Sequence, residues 1–126
     1  MKKELKIYRC AHCGNIVELI DGHVTPSCCG QPMDLLKPNT VDAAQEKHVP
    51  VVRREGDKLI VEVGSVHHPM TQEQYIPYIW VVFDNKVGRA HLTPDDEPVA
   101  EFFPGEGPLK VYGYCNLHGL WETDID

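Results

Sequence analysis

Four of the chain's 5 cysteines lie within residues 10–29, near the start of the sequence. Cys10 and Cys13 form a C-x-x-C turn, and Cys28 and Cys29 form a vicinal pair. Four thiolates at this spacing are typical of a tetrahedral site for a soft metal, and the spacing alone does not distinguish iron from zinc. A redox disulfide or a buried pair of thiols explains the pattern less well. We therefore expect this segment to fold around a metal ion.

The vicinal pair requires a local bend. Adjacent side chains on an extended strand point to opposite faces, so Cys28 and Cys29 can reach one metal only where the backbone turns. Residues 26–30, P-S-C-C-G, contain the proline and glycine that such a bend favours. His12 and His23 lie near the cysteines in sequence, but we expect both to be exposed rather than metal ligands.

The chain divides in sequence into a short cysteine-rich domain and a longer apolar one. Residues 1–36 contain two short strand candidates, 2–8 and 16–20. A domain this small cannot bury a sufficient core without a metal or a partner chain. Residues 37–40, K-P-N-T, are predicted to be a linker, and residues 41–126 are predicted to form the second domain.

The second domain is predicted to be an antiparallel β-sandwich. Its short apolar runs are separated by segments rich in Gly, Asp, Asn and Pro, a pattern typical of two packed sheets. Pro77 lies inside the longest run and is expected to mark a bulge or an edge. The strand candidates are residues 49–52, 58–63, 75–83, 86–92, 99–103 and 109–115.

Charge and hydropathy argue against several kinds of partner. With 12 Lys and Arg against 19 Asp and Glu, the net charge is −7, which disfavours nucleic acid and anionic membranes. No apolar run approaches the roughly 20 residues that cross a bilayer, and the start of the chain lacks the apolar core of a signal peptide. We therefore expect a cytoplasmic protein, whose reducing surroundings disfavour structural disulfides.

Three further segments carry metal-binding side chains: E-K-H-V-P at 46–50, H-H-P-M at 67–70 and C-N-L-H-G at 115–119. A cysteine followed by a histidine three residues later can bring a thiolate and an imidazole to one metal across a turn. Each segment alone is a weak signal. Together they offer several neutral nitrogen donors and one thiolate, a set that suits a ferrous ion with an open position.

In their order and neighbouring residues, these three segments resemble the superoxide reductase family, and the four-cysteine segment resembles desulforedoxin. Over nearly the whole chain, the two together are similar to the desulfoferrodoxins, the two-iron superoxide reductases. The resemblance implies an all-β protein, with a small desulforedoxin-like domain followed by a neelaredoxin-like β-sandwich of immunoglobulin type. It also implies two non-heme irons, and it favours iron over zinc at the four-cysteine site.

The resemblance further implies that the catalytic iron has four histidine ligands and an axial thiolate. His48, His68 and His118 match histidine ligands, and Cys115 matches the thiolate. Gln74 stands six residues beyond His68, where the family's remaining histidine is expected. An amide oxygen is a harder and weaker donor for ferrous iron than an imidazole nitrogen. Either Gln74 or water completes the site, another histidine substitutes, or the iron binds poorly.

Two other histidines are candidates for the position of Gln74. His67 is a poor substitute, because its neighbour His68 already matches a ligand and residues on an extended strand alternate in direction. His91 lies on a predicted strand, and we expect it at the surface.

Two residues beside the ligands have implied catalytic roles. Glu46 matches the glutamate that occupies the sixth position of the oxidised iron in the family. Lys47 matches the lysine that attracts the superoxide anion and helps deliver protons. Without this context, both would be ordinary surface residues.

The implied activity is that of a superoxide reductase, which reduces superoxide by one electron to hydrogen peroxide without producing oxygen. It requires an external donor such as a rubredoxin, and the short first domain and the resemblance both indicate a homodimer. Two other functions stay open. The chain is a non-catalytic electron-transfer protein if only the four-cysteine iron binds, and a zinc-stabilised β-sandwich binding module if neither iron does.

Overall fold

Short antiparallel strands account for nearly all the regular structure in residues 4–125, the part of the chain that the computed structural model describes. Within those residues there is one helix of 4 residues, so the prediction of an all-β fold is confirmed. None of the described helical structure is long and apolar enough to cross a bilayer. The elements are β1 (Ile7–Arg9), β2 (Ile16–Glu18), β3 (Ser27–Cys28), β4 (Gln31–Pro32), β5 (Asp34–Leu35), α1 (Gln45–His48), β6 (Pro50–Glu55), β7 (Lys58–Val63), β8 (Tyr78–Phe83), β9 (Lys86–His91), β10 (Val99–Phe102), β11 (Leu109–Cys115) and β12 (Gly119–Ile125).

The chain forms two units, Glu4–Lys37 and the residues from Pro38 on. In the first, β1 pairs with β2 and β5, and β3 pairs with β4. A small cluster of Tyr8, Cys10 and Met33 is buried there. Because apolar side chains contribute so little to this interior, a metal bound by the cysteines would supply much of the unit's stability.

The second unit contains two antiparallel sheets that share one core. Their strand orders are β10-β7-β6 and β12-β11-β8-β9. Alternate side chains of each strand point inward, as the two-residue repeat of a strand requires. The fully buried core includes Leu59 and Val61 on β7, Ile79 and Val81 on β8, and Val111 on β11. The predicted sandwich is therefore present.

Two details differ from the sequence prediction. Pro77 does not interrupt a strand: β8 begins after it, at Tyr78, and the carbonyl of Pro77 accepts a hydrogen bond from the amide of Leu92 at 2.7 Å. The last strand, β12, was not predicted, because Glu122 and Asp124 interrupt its apolar pattern. It pairs with β11 along its whole length, so tertiary pairing outweighs local composition here.

Candidate metal centres

The four cysteines of the first unit converge on one point. Their sulfur atoms all lie within 4.8 Å of one another. The sulfur of Cys28 is 3.6 Å from that of Cys13 and 3.9 Å from that of Cys29. Four sulfurs bound tetrahedrally to a metal at about 2.3 Å lie about 3.8 Å apart. The spacing therefore fits a tetrahedral four-thiolate metal centre.

Two backbone turns bring these sulfurs together. In the C-x-x-C turn, the amide of Gly14 donates to the carbonyl of Cys10 at 2.9 Å, and the amide of Cys13 donates to the Cys10 sulfur at 3.5 Å. The bend expected at the vicinal pair is present, because Cys29 has a φ of 55° and Gly30 a φ of 74°. These left-handed conformations let the two vicinal sulfurs face the same point.

Three thiols of this cluster have shifted pKa values. The hydrogen bond from the Cys13 amide lowers the pKa of Cys10 to about 6. Hydrogen bonding with the Cys13 side chain raises the pKa of Cys29 to about 12, and it also raises the pKa of Cys28. Cys10 therefore forms a thiolate readily, and Cys28 and Cys29 ionise when a cation offsets the mutual repulsion of the sulfurs.

Four side chains of the second unit form a closed ring, which we call the equatorial ring: His48, His68, Gln74 and His118. The Nε2 atom of His48 lies 3.1 Å from Nε2 of His68 and 3.2 Å from Nδ1 of His118. The carboxamide nitrogen of Gln74 lies 3.5 Å from Nε2 of His68 and 3.4 Å from Nδ1 of His118. In this ring His48 is opposite Gln74. Two ligands at right angles around a metal at about 2.1 Å are about 3 Å apart, so the four sides are close to those of a planar ligand set.

Cys115 supplies a fifth direction. Its sulfur is fully buried and lies 3.9 Å from Nδ1 of His118. The donor atoms of His48, Cys115 and His118 all lie within 4.8 Å of one another. Burial raises the pKa of the Cys115 thiol, so the sulfur becomes a thiolate when a cation binds beside it. A metal held by these histidines and this cysteine would keep room for a substrate.

Backbone hydrogen bonds fix which nitrogen of two histidines faces the ring. Nδ1 of His48 donates to the carbonyl of Ala44 at 2.6 Å, and Nδ1 of His68 donates to the carbonyl of Pro69 at 2.7 Å. Each Nε2 is therefore free to act as a metal ligand. Burial lowers the pKa of both rings, that of His68 to about 4, so both imidazoles are neutral at pH 7.

The ligands come from segments far apart in sequence. His48 is the last residue of α1, and Cys115 is the last residue of β11. His118 follows in the turn before β12, while His68 and Gln74 lie between β7 and β8. Strand pairing, which no local pattern encodes, brings these segments together.

Trp121 also contacts this centre, a role that the sequence analysis missed. Its ring stacks on His48 with centroids 5.0 Å apart, and its Nε1 donates to the carbonyl of His118 at 3.1 Å. The available signal was its position at the end of the C-N-L-H-G-L-W segment. Trp121 therefore supports the orientation of two ring members.

Glu46 and Lys47 are exposed residues of α1, directly before the buried His48. The carbonyl of Glu46 accepts a hydrogen bond from the amide of Val66 at 2.8 Å. Gly64 packs so closely that a Cβ atom there would lie 2.8 Å from the carbonyl carbon of Lys47, so a larger residue does not fit. The backbone of Glu46 and Lys47 is thereby fixed directly before the ring member His48.

Four histidines outside the equatorial ring are exposed: His12, His23, His67 and His91. Nε2 of His67 lies 3.1 Å from a carboxylate oxygen of Glu62. The ring of His91 stacks on Tyr78, with centroids 4.8 Å apart. Neither of these two histidines occupies the position of Gln74 in the ring.

Together, fold and donor sets define a β-protein that fits two non-heme iron centres, one with four cysteines and one with histidines and a cysteine. Comparison with known families agrees. The family described as "Desulfoferrodoxin, N-terminal domain" matches residues 2–36, and the family described as "Desulfoferrodoxin" matches residues 40–124. The chain belongs to the desulfoferrodoxin family, as the motifs indicated.

Individual relatives match nearly the whole chain or about two thirds of it. A desulfoferrodoxin from Syntrophotalea carbinolica is 51% identical, with 98% of this chain and 99% of the relative covered. The crystal structure of the superoxide reductase from Treponema pallidum has a TM-score of 0.78 at 31% identity, covering 96% of this chain and 99% of that one. A superoxide reductase (1Fe-SOR) from Giardia intestinalis has a TM-score of 0.56 at 33% identity, covering 64% of this chain and 98% of its own.

Proposed function

We propose that this chain is a superoxide reductase with two non-heme irons. In the reaction, superoxide takes up one electron and two protons and becomes hydrogen peroxide, and no oxygen is released. The observation that carries the proposal is the convergence of the equatorial ring and Cys115 on one point. Neutral nitrogen donors with one thiolate suit a redox-active iron, which supplies the electron when bound. The relatives that are named superoxide reductases support the same activity.

Each of the two centres has its own set of iron ligands. His48, His68, His118 and Cys115 hold the catalytic iron, in the domain 41–126. The domain 1–36 holds a separate iron through its four-cysteine cluster, Cys10, Cys13, Cys28 and Cys29.

Lys47 attracts the substrate. Its exposed ammonium group directly precedes the ligand His48. The net charge of −7 opposes the approach of an anion, but charge interactions are screened beyond about 10 Å at ordinary salt. The local field of Lys47 therefore decides the last step of association, and its ammonium group is a proton donor for the reaction.

With an oxidised iron bound, the Glu46 carboxylate would be the additional donor of the centre. Its carboxylate is exposed, and its backbone is tied to the segment after β7 through Val66. A carboxylate is a hard, anionic donor, which favours the more highly charged form of a metal. Glu46 would therefore bind the oxidised form of the centre in preference to the reduced form.

The remaining partners are a small electron donor, such as a rubredoxin, and a second copy of the chain. The first unit exposes several apolar side chains, with Ile20 72% and Val24 74% accessible. Such side chains on a unit with so small a core support a homodimer in which this unit contributes to the interface. All 5 cysteines are free, which suits the reducing cytoplasm.

One observation favours a second candidate function. Gln74 stands in the ring where a stronger imidazole donor is expected, and this weakens the hold of the centre on iron. If that centre stays empty in solution, the chain is an electron-transfer protein that uses only its four-cysteine iron.

Metal analysis with matched cysteine variants separates the two functions. A superoxide reductase should contain two irons and no zinc per chain. Cys10→Ser should remove one iron and leave superoxide reduction intact, whereas Cys115→Ser should remove the other iron and abolish the activity. A wild-type protein with a single iron that is lost in Cys10→Ser would establish the electron-transfer function instead.

A further inference from the structure

We propose that the carboxamide oxygen of Gln74 is itself a ligand of the second iron, in the equatorial place opposite His48. This inference rests on the proposed function only in requiring iron at the histidine and cysteine centre. It assigns this chain a donor set of three imidazoles, one amide oxygen and one thiolate.

Gln74 lies at nearly the same distance from its two ring neighbours as His48 does. The Gln74 carboxamide lies 3.5 Å from Nε2 of His68 and 3.4 Å from Nδ1 of His118. Those two nitrogens also flank His48 on the other side of the ring, at 3.1 Å and 3.2 Å. Gln74 therefore completes the plane at nearly the same spacing as the histidines.

The identity of the ligand atom follows from the chemistry of the amide. The NH₂ group of Gln74 faces Nε2 of His68 and Nδ1 of His118, to which it can donate hydrogen bonds. A bound cation takes those lone pairs and repels the NH₂ protons. A half-turn about the terminal C–C bond then places the carboxamide oxygen in the same position, with its lone pairs towards the metal.

The segment around Gln74 is anchored to the turn that carries the thiolate. Oδ1 of Asn116 accepts a hydrogen bond from the amide of Tyr75 at 2.9 Å, and Nδ2 of Asn116 donates to the carbonyl of Glu73 at 3.1 Å. The residues on both sides of Gln74 are thus tied to the residue that follows Cys115. The backbone N–H of Gln74 donates a hydrogen bond to Oγ1 of Thr71 at 3.2 Å.

An amide oxygen changes the properties of the centre in a defined direction. Like an imidazole, it is neutral, so the total charge of the ligand set is unchanged. It is a harder and weaker donor, so iron dissociates faster than from a four-histidine plane. Removal of the donor should speed the loss of iron, and its replacement by imidazole should slow it.

The test is the rate at which a chelator removes iron from the holoprotein, with the four-cysteine iron as an internal reference. Gln74→Leu keeps the bulk of the side chain but removes the donor, and we expect at least a tenfold faster loss of the second iron. Gln74→His should slow the loss at least tenfold, and the exposed Gln72→Ala is the matched control with an unchanged rate. A wild-type rate in Gln74→Leu would overturn the proposal.

A second variant covers the case in which Gln74→Leu does not fold. Gln74→Glu keeps an oxygen donor but adds a negative charge, so iron should be retained and the thiolate-to-iron absorption band should shift. An unchanged band would show that residue 74 is not bound and would overturn the proposal. A wild-type protein with two irons and full activity, but no effect of either variant, would overturn the role of Gln74 alone. A wild-type protein without the second iron would overturn both this inference and the proposed function.

Discussion

His48 and His68 face each other through their Nε2 atoms across 3.1 Å, and each ring is fixed by a hydrogen bond from Nδ1 to a backbone carbonyl. Both side chains are 2% exposed. Two neutral imidazoles held in this way direct their lone pairs at one point, which is unfavourable unless a cation lies there. The geometry of this histidine pair therefore indicates a metal centre without any comparison with related proteins.

The burial of His68 predicts that the iron-free protein loses stability in mild acid. Its pKa is about 4 in the folded state, against 6.5 for an unperturbed histidine. As the pH falls from about 6.5 to 4, the unfolded chain binds a proton that the folded chain does not, so the free energy of unfolding decreases by about 3 kcal/mol. Above this pH window the contribution of His68 to stability is fully present. Urea unfolding followed by the fluorescence of Trp80 and Trp121, both in the second unit, measures the change. A stability that is constant between pH 7 and 4 would contradict this.

Lys47→Ile should slow the association of superoxide with the reduced protein about tenfold at low salt, since the local positive charge is removed. The rate should also become less sensitive to ionic strength. Pulse radiolysis at several salt concentrations measures both effects. Lys47→Arg, which keeps the charge, is the control, and an unchanged rate in Lys47→Ile would exclude the steering role.

Glu46→Ala should leave the first step, oxidation of the reduced protein by superoxide, within about twofold of the wild-type rate. It should change the absorption band of the oxidised protein and the pH dependence of that band, because water or hydroxide then takes the open position. Spectra recorded from pH 5 to 10 test this. If wild type and variant have the same oxidised spectrum at every pH, Glu46 does not bind the iron.

Asn116→Ala should weaken the binding of the second iron, although Asn116 is not a ligand. The variant leaves the amide of Tyr75 and the carbonyl of Glu73 without their side-chain partner, at a cost of about 1–3 kcal/mol. We expect a lower melting temperature and a faster loss of the second iron. Leu117→Ala, an exposed neighbour in the same turn, should change neither property. Normal iron retention in Asn116→Ala would show that the anchor is dispensable.

Much of this architecture could be predicted from sequence because it depends on residue types at fixed spacings. The C-x-x-C turn, the bend at Cys28 and Cys29, and the β-sandwich all follow from local composition and periodicity. β12 could not be predicted, since the charged residues Glu122 and Asp124 interrupt its apolar pattern. The strand forms because it pairs with β11.

The arrangement of the second centre depends on contacts between distant residues. The sequence indicated that Gln74 stands at an expected histidine position, but not whether its side chain turns towards the ring or away from it. The residues on both sides of Gln74 are held by Asn116, which lies 41 positions beyond Tyr75 and is invisible to any local pattern. The contact of Trp121 with His48 likewise joins residues 73 positions apart, so no local sequence pattern predicts it.

The most direct test of the account is the yield of hydrogen peroxide per superoxide consumed by the protein in the presence of an electron donor. A reductase produces one peroxide for each superoxide and no oxygen, and we predict this ratio for the wild type and for Cys10→Ser. One peroxide and one oxygen for every two superoxides would be dismutation. That result, or no consumption of superoxide by a protein that contains both irons, would contradict the proposed function.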